Sequence, residues 1–342
     1  MFNYVSVFNP GGSEALEIKQ GDIPKPKEDQ VRIKVEAAGV AFPDIYFRTG
    51  TMVPPDIYPI TPGYDAVGIV DKLGQDVKGL KLGQRVIRVS SVGGYAEILC
   101  HRASDLVSVP ENLDAGVAVS VGLNGVMAYQ MVHRMGRVVK GNSVLVHGAG
   151  GGIGHLIVQL CVLAGATVYG VGSTNKQETI KSMGAVPIDY QKEDVESRVK
   201  ELTDGKGMDV VFDGIGPKAH WDQSYKLTSM FGRLVMFGMM GAINRGVPDR
   251  DIFKDLMENP KSWSSNDLIS SNISIAFYSF STMKIDRPDL FREDLSKMLS
   301  LAARNKIKPI IGARFKLDEV RQAHELLHAA AVPGKILLDM RT

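Results

Sequence analysis

A glycine-rich turn between a strand and a helix is the feature that most restricts how this chain can fold. The strand is the apolar run Ser143–His147, and a helical segment, His155–Ala164, follows the turn. In such a turn, Gly151 lets a pyrophosphate approach the backbone, and Gly154 lets the helix pack closely on the strand. The amino end of the helix then favours an anion. This order predicts a dinucleotide site made of Gly148, Ala149, Gly150, Gly151, Gly152, Ile153 and Gly154.

The rest of the chain has the pattern of a doubly wound α/β protein. From Gly122 onward, apolar runs of strand length alternate with helical segments, which is typical of a parallel sheet covered by helices. Short strands separated by Pro and Gly clusters precede Gly122, and a strand, a helix and a strand end the chain. We therefore expect a second, mostly β domain formed by both chain ends. The strands predicted for the parallel six-stranded Rossmann sheet are Ser143–His147, Thr167–Val171, Val186–Asp189, Asp209–Asp213, Gly232–Phe237 and Ile273–Tyr278.

Composition limits the partners and the compartment. The 40 basic and 38 acidic residues leave a net charge of +2, which does not provide the basic surface that a nucleic acid requires. Residues 1–20 lack a basic leader followed by an apolar run, and no later stretch is long enough to cross a bilayer. The cysteines, Cys100 and Cys161, are too few for a disulfide framework. We expect a cytoplasmic protein without a transmembrane segment, and its partners are expected to be small molecules.

The end of the second Rossmann strand indicates which dinucleotide is bound. An NAD site usually places an acid there to accept hydrogen bonds from the ribose hydroxyls, but this strand end has none. Instead Gly172 leaves room, and Ser173 and Thr174 offer hydroxyl donors. Lys176 supplies a positive charge suited to a 2′-phosphate. With Tyr190 at the end of the third strand, these residues predict NADPH, although a plain surface position explains Tyr190 alone equally well.

Four stretches of the sequence resemble the quinone oxidoreductase branch of the medium-chain dehydrogenase/reductase superfamily, including its relatives of the synaptic vesicle membrane protein type. They are Ala38–Tyr46, Thr61–Gly68, Gly122–Tyr129 and Val144–Gly154. The resemblance implies a GroES-like catalytic domain over 1–122 and 283–342 and an NADP-binding Rossmann domain over 123–282. It also implies hydride transfer from NADPH to a quinone or an α,β-unsaturated carbonyl compound. A homodimer joined through the last strand of the Rossmann sheet is the expected assembly.

The sequence departs from the zinc-dependent members of that superfamily at their metal ligands. Those members carry a Cys in the first stretch and Gly-His-Glu in the second, where this chain has Ala41 and Gly63-Tyr64-Asp65. Because zinc requires thiolate, imidazole or carboxylate ligands, we expect no metal. Within the quinone oxidoreductase branch, Ala41 replaces the usual Asn and Met127 the usual Thr near the nicotinamide. These replacements leave a second hypothesis open, a catalytically silent NADPH-binding protein that acts as a sensor or interaction module.

The same resemblance implies that Tyr46, Asp44 and Asn124 are the catalytic candidates. A quinone or enone spreads developing negative charge onto oxygen, so a hydrogen-bond donor or water can complete protonation, and Tyr46 is the candidate donor. The alternatives are an aromatic wall for Tyr46 and, for Asp44, a cap that only holds a loop. Asn124 is expected to hold the nicotinamide or the acceptor.

The ends of the last two Rossmann strands supply further candidates. Gly238 would let the cofactor approach the backbone after the fifth strand. Phe277 and Tyr278, together with Tyr46, would line the acceptor pocket, although core packing explains these two aromatic residues equally well. The polar segment Met240–Asn272 follows the fifth strand on the ligand-facing edge of the sheet, where it would form a lid.

A different motif competes with this interpretation. The run His324-Glu325-Leu-Leu-His328 matches the zinc-protease pattern, with two imidazoles one helical turn apart and a Glu placed to activate water. However, its helix carries apolar residues at core-facing spacing, and the motif supplies no third ligand. Related chains carry a similar Ala-His-x-x-Leu helix before a final Gly-Lys strand. We therefore expect an ordinary packed helix, and a zinc metalloprotease stays a remote alternative.

Overall fold

The structure is a computed structural model, and it describes residues 1–51, 53, 55–244 and 247–340. The chain divides into two compact units. The first contains the described residues of Met1–Val126, Arg245–Val247 and Ser281–Thr342, and the second contains Met127–Asn244 and Pro248–Phe280. The two ends of the chain therefore share the first unit.

The helices and strands have the following bounds. The strands are β1 (Phe2–Ser6), β2 (Glu17–Gly21), β3 (Gln30–Val40), β4 (Asp65–Leu73), β5 (Arg85–Val89), β6 (Ile98–Arg102), β7 (Val107–Ser108), β8 (Ser143–His147), β9 (Thr167–Gly172), β10 (Val186–Asp189), β11 (Met208–Asp213), β12 (Thr228–Met236), β13 (Ile243–Asn244), β14 (Val247–Pro248), β15 (Ser274–Phe277), β16 (Ile311–Lys316) and β17 (Lys335–Asp339). The helices are α1 (Phe42–Thr49), α2 (Ala115–Ser120), α3 (Leu123–Gln130), α4 (Gly154–Leu163), α5 (Gln177–Ser182), α6 (Val195–Leu202), α7 (Lys218–Leu227), α8 (Arg250–Glu258), α9 (Ser265–Ser271), α10 (Phe280–Asp286), α11 (Pro288–Ala303) and α12 (Val320–His328).

The first unit is mostly β, as the sequence predicts. Its main sheet has the order β16-β17-β3-β4-β5-β7, and β6 also pairs with β3. Antiparallel pairing of β17 with β3 joins the last strand to an early one, which explains why both chain ends share one core. Val31, Ile33 and Val35 alternate along β3 and are buried, as one covered face of a sheet requires.

The second unit confirms the predicted doubly wound α/β fold. Its six parallel strands lie in the order β10-β9-β8-β11-β12-β15. Numbered along the chain this order is 3-2-1-4-5-6, the dinucleotide-binding arrangement. The strand order reverses between β8 and β11, and ligands bind outside the carboxyl ends of the strands at such a point. The glycine turn leaves β8 at that edge.

Among the short strands that the sequence predicts before Gly122, the one expected over Tyr95–Cys100 begins only at Ile98, because the backbone of Tyr95 bonds with Pro62 and Val5 instead of with β3. The segment Met240–Asn272 holds α8 and α9, while its residues 245–246 lie outside the described part of the chain. Of the helices that the structure describes, none combines the length and apolarity that crossing a membrane requires.

Candidate functional site

Close backbone approaches shape the glycine turn after β8 in the second unit. Gly148 has a φ of +72°, in the left-handed region that favours glycine. A Cβ on Gly154 would lie 2.1 Å from the carbonyl oxygen of Gly148, so only glycine lets α4 begin against the turn. A Cβ on Gly151 would meet only that oxygen, at 3.2 Å, and otherwise open space. The chain itself requires Gly154, whereas Gly151 leaves room for a ligand.

The remaining turn residues are fixed to the sheet and to α4. Ala149 is fully buried, and its N–H donates to the carbonyl oxygen of Val171 in β9. Gly152 and Ile153 are half-buried and lead into α4. His155, which the sequence analysis did not single out, places Nδ1 2.8 Å from the carbonyl oxygen of Gly151. Because a carbonyl only accepts, this nitrogen carries the proton and braces the turn.

The side chain of Lys176 lies across the glycine turn. A Cβ on Gly150 would meet Cδ and Cβ of Lys176 at 2.9 and 3.0 Å, so the alkyl stem packs on the turn. Burial lowers the pKa of the Lys176 ammonium. The predicted turn and the predicted cation are therefore parts of one site, which combines a helix amino end with a lysine and suits a phosphate group.

The neighbouring hydroxyl groups are less available than expected. Thr174 Oγ1 donates to Asp189 Oδ2 at 2.6 Å. Since a hydroxyl has one proton, Thr174 does not offer it to a phosphate in this arrangement, and its contact with the cofactor stays a prediction. Ser173 Oγ donates to Asn175 Oδ1 at 2.6 Å, in an exposed contact that solvent or a ligand can replace.

An acidic residue lies at this corner after all, but it comes from a different strand. Asp189, the last residue of β10, pairs in register with Gly172 at the end of β9. A side chain at Gly172 would collide with α5, because Cδ1 of Ile180 would lie 2.6 Å from a Cβ there. Glycine at this position serves the packing of α5. Tyr190, beside Asp189, has 56% of its surface exposed, as a contact for a bound adenosine requires.

Gly238 permits a close approach within the chain. A Cβ on Gly238 would lie 2.4 Å from the carbonyl oxygen of Gly214, so the segments after β11 and β12 touch backbone to backbone. The structure thus gives a packing reason for this glycine that does not involve a cofactor.

A histidine pair that sequence reasoning missed joins the ends of β8 and β11. Asp213 Oδ1 accepts the N–H groups of Ile215 and Gly216, and Oδ2 accepts from His220 Nδ1 at 2.9 Å. Burial alone would raise the pKa of Asp213, but the donor groups and the nearby imidazoles outweigh it and hold that pKa below its usual range. The ring of His147 lies edge-on to His220, with centroids 4.5 Å apart. Together these contacts hold the turn after β8 and the turn after β11 at the ligand-facing edge of the sheet.

The two aromatic residues at the end of β15 have different surroundings. Phe277 is 48% exposed and packs edge-on against Trp221. Tyr278 is buried, and its hydroxyl donates to Gln130 Oε1 at 2.6 Å. Only Phe277 is accessible enough to line a pocket within this unit, so the expectation that both residues do so is corrected.

In the first unit, Asp44 is enclosed and serves as an acceptor for three groups. It is fully buried on α1, where Oδ1 accepts from the N–H of Gly63 and Oδ2 accepts from the N–H of Ala41 and the hydroxyl of Tyr95. Burial raises the pKa of Asp44 to about 6, against the opposing effect of these donors. A carboxylate in this position does not reach a substrate, so Asp44 positions the start of α1 and the loop at Gly63.

A directed chain of hydrogen bonds connects Asp44 with Arg48. Arg48 donates to Nδ1 of His324 at 3.4 Å, and an arginine only donates, so this nitrogen is unprotonated. Burial and the adjacent Arg48 charge hold the pKa of His324 well below its ordinary value, so the neutral ring carries its proton on Nε2. That nitrogen lies 3.3 Å from the hydroxyl of Tyr95, which donates to Asp44 at 2.8 Å. The neutral side chains of His324 and Tyr95 thus link the buried cation of Arg48 to the buried acid Asp44.

The same contacts explain the motif that resembles a zinc protease. Nε2 of His328 accepts from Arg48 at 2.9 Å, and Glu325 accepts from Ser13 at 2.8 Å. Both imidazole nitrogens that a metal would need on this face therefore bind a guanidinium group. In the described ranges, no cluster of three or more His, Cys, Asp or Glu side chains is placed to hold a metal ion.

Tyr46 lies between Asp44 and Arg48 on α1. Burial raises the pKa of its phenol to about 12, so it stays protonated at neutral pH and can donate a hydrogen bond. Tyr64 lies close enough for the two phenols to influence each other electrostatically, and its pKa is also raised, by burial and by the charges of Asp44 and Tyr46. Tyr64 takes the position of a zinc-ligand histidine, and the sequence analysis noted it only for that reason.

Asn124 is buried at the start of α3, next to a second buried ion pair. The N–H of Leu123 donates to Asp65 Oδ2 at 2.9 Å, and Nζ of Lys335 lies 3.4 Å from the same oxygen. Asp65 is thus committed to α3 and β17. These contacts place Asn124 in the first unit, and its exposed fraction of 6% leaves little of its side chain accessible there.

Comparison with known protein families assigns both parts of the chain. The family described as alcohol dehydrogenase GroES-like domain matches residues 27–111, and the family described as zinc-binding dehydrogenase matches residues 152–301. The first range falls in the first unit, and most of the second range falls in the other.

Individual proteins match over almost the full length. The synaptic vesicle membrane protein VAT-1 homolog-like protein of Mus musculus is 30% identical over 339 residues, covering 96% of this chain and 79% of its own. The quinone oxidoreductase of Rattus norvegicus is 31% identical over 340 residues, covering 98% and 96%. Among solved structures, Escherichia coli quinone oxidoreductase complexed with NADPH superposes with a TM-score of 0.86 at 26% identity, covering 99% of this chain and 100% of that one.

Proposed function

The chain belongs to the quinone oxidoreductase branch of the medium-chain dehydrogenase/reductase superfamily, and from this premise we propose that it is an NADPH-dependent reductase of quinones or α,β-unsaturated carbonyl compounds. The observation that supports this proposal most directly is the packing of Lys176 across the glycine turn. Residues 1–122 and 283–342 form the catalytic domain in this proposal, and residues 123–282 form the cofactor-binding domain.

The residues at the edge of the second unit fit NADPH. The open side of Gly151 and the amino end of α4 suit the pyrophosphate. Lys176 and Ser173 suit the 2′-phosphate, while Tyr190 is exposed beside them for the adenosine. The charge of Asp189 at this corner opposes a phosphate, and its contacts with Thr174 and the N–H of Gln191 partly satisfy it.

The proposed chemistry requires little from the protein beyond orientation and one donor. Bound NADPH supplies a hydride to the electron-poor acceptor. Tyr46 keeps its proton at neutral pH and donates a hydrogen bond to the acceptor oxygen, where negative charge develops, and water supplies the proton that completes the reduction. Asp44 holds the first turn of the helix that carries Tyr46. This scheme uses no metal ion, so no side chain serves as a metal ligand in it.

A homodimer through β15 is part of the proposal. In the described sheet, β15 is an edge strand that pairs only with β12. Open backbone groups on an edge strand can pair with the same strand of a second copy. The variant Phe277→Lys places a charge on this edge and should give a monomer in analytical ultracentrifugation. A Val186→Lys variant, on β10 at the opposite edge, is the matched control and should leave the dimer intact.

The direct test of the function measures oxidation of NADPH and, separately, NADH against an ortho-quinone, an alkenal and a saturated aldehyde. We expect turnover of the quinone or the alkenal with NADPH and none of the aldehyde. Binding of NADPH without turnover of any acceptor would replace the reductase by the silent sensor that Ala41 and Met127 leave open. A preference for NADH would contradict the roles of Ser173 and Lys176.

A further inference from the structure

A continuous chain of hydrogen bonds holds helix α1 from one side, and it is buried from Asp44 to Arg48 and partly buried at His328. We propose that His324 and His328 act through Arg48 as positioning residues that fix the orientation of Tyr46. The inference rests on the proposed function, since Tyr46 is the candidate donor of that reaction. It assigns a purpose to the His-Glu-x-x-His motif, which the proposed chemistry does not otherwise use.

Helical geometry separates the anchoring residues from Tyr46. Asp44 and Arg48 are four residues apart, so their side chains leave the same face of α1. Both are buried, with exposed fractions of 0% and 1%. Tyr46 is two residues from each, so it leaves the helix on the opposite side. If the face of α1 that carries Asp44 and Arg48 rotates about the helix axis, the phenol of Tyr46 therefore moves in the opposite direction.

Side chains from outside α1 hold both of its turns. Tyr95 binds Asp44 at the first turn, and His324 binds both Tyr95 and Arg48. His328 binds Arg48 at the last turn with the shorter of the two arginine contacts, 2.9 Å against 3.4 Å. A helix of eight residues is marginal without such tertiary contacts. Each imidazole accepts from the guanidinium with an unprotonated nitrogen, so an amide oxygen can replace it but an aliphatic side chain cannot.

Kinetics with NADPH and an ortho-quinone test the proposal in five variants. We expect His328→Leu to lower kcat about 10-fold, while the Kd for NADPH stays within twofold of the wild-type value. His328→Gln, which restores an acceptor, should recover most of kcat. On a Tyr46→Phe background, His328→Leu should have no further effect, because both changes remove the same contribution. The control His101→Leu removes another partly buried histidine of the same unit and should leave kcat unchanged.

A second measurement does not depend on turnover. Tyrosine labelled with ¹³C at Cζ gives one NMR signal for each of the ten tyrosines, and Tyr46→Phe assigns the signal of interest. We expect His328→Leu to shift or broaden that signal, whereas His101→Leu does not. An unchanged Tyr46 signal, or an equal loss of kcat with and without Tyr46, would overturn the positioning role. If the wild-type protein reduces no acceptor, the proposed function fails, and the NMR result alone decides whether the histidines orient Tyr46.

Discussion

The candidate site of the second unit is shaped mainly by backbone contacts, whereas that of the first unit is built from side chains. At the edge of the second unit, the glycine turn is one run of seven residues, and its shape follows from backbone contacts such as the one between Gly154 and Gly148. In the first unit, side chains from positions 44, 95 and 324 meet in one buried chain of hydrogen bonds. A site shaped by close backbone contacts leaves almost no room for a side-chain atom at the contacting residues. A side-chain network instead depends on the fold to bring its members together, and it fails when one donor loses its acceptor.

Adding one methyl group to the glycine turn should have the largest effects and should separate its two functions. Gly154→Ala places Cβ 2.1 Å from the carbonyl oxygen of Gly148, so we expect loss of the folded second unit. In Gly151→Ala the carbonyl oxygen of Gly148 would lie 3.2 Å away, a far milder contact, so we expect a much smaller decrease in the thermal midpoint and about a 100-fold weaker Kd for NADPH. Circular dichroism and fluorescence titration measure the two effects. Equal losses of stability would mean that Gly151 also serves only the fold.

Asp44→Asn is the corresponding test of the side-chain network. The carboxylate accepts from Ala41, Gly63 and Tyr95, and an amide nitrogen in place of one oxygen would face a donor. A buried donor without an acceptor costs roughly 1–3 kcal/mol, so we expect the free energy of unfolding to fall by about that amount. Quinone turnover should fall with it, while the Kd for NADPH stays near the wild-type value. A variant as stable as the wild type would show that the network does not hold α1.

This contrast also explains what could be predicted from the sequence. The order of strand, turn and helix around Gly148–Gly154 is a contiguous pattern, and the alternation that follows it specifies the six-stranded sheet. The partner of Thr174 could not be predicted, because Asp189 reaches that corner only through the pairing of β10 with β9. The helix α1 could not be predicted, because its eight residues are marginal as an isolated helix and distant side chains stabilise it. The same tertiary contacts bring Arg48 of α1 to the two histidines of the His-Glu-x-x-His motif.

Charge at the phosphate corner should alter cofactor selectivity by a smaller factor. Lys176→Gln removes the positive charge of the side chain whose stem packs on the turn, and we expect the Kd for NADPH to rise about 10-fold while the Kd for NADH changes less than twofold. Asp189→Asn removes the opposing charge and should tighten NADPH binding about twofold to threefold. Lys192→Gln, an exposed lysine near the same acid, is the control. Equal changes for both cofactors would place Lys176 at the pyrophosphate instead.

Acidification should weaken the second unit through His147. Burial lowers the pKa of His147 to about 4 from its ordinary 6.5, so its contribution to stability is complete above pH 6.5 and is lost as the pH falls toward 4. At pH 5.5 this histidine alone should lower the free energy of unfolding by roughly 1–2 kcal/mol, which corresponds to a decrease of roughly 2–8 °C in Tm for a unit of this size. His147→Gln should show a smaller decrease between pH 7.5 and 5.5, as measured by differential scanning calorimetry. An identical pH dependence in the variant would contradict the burial of a neutral ring.

The smallest expected effect concerns metal removal, and it distinguishes an arginine-bound histidine pair from a zinc site. His324 and His328 each accept from Arg48, whose positive charge disfavours a cation between the two rings. We expect atomic emission to find far less than one zinc per chain, and dialysis against a chelator to leave Tm and quinone turnover unchanged. Arg48→Ala frees both nitrogens and serves as the positive control for zinc uptake at this position. Stoichiometric zinc in the wild-type protein, lost together with stability on dialysis, would mean that the guanidinium does not occupy the face of α12 that the structure assigns to it.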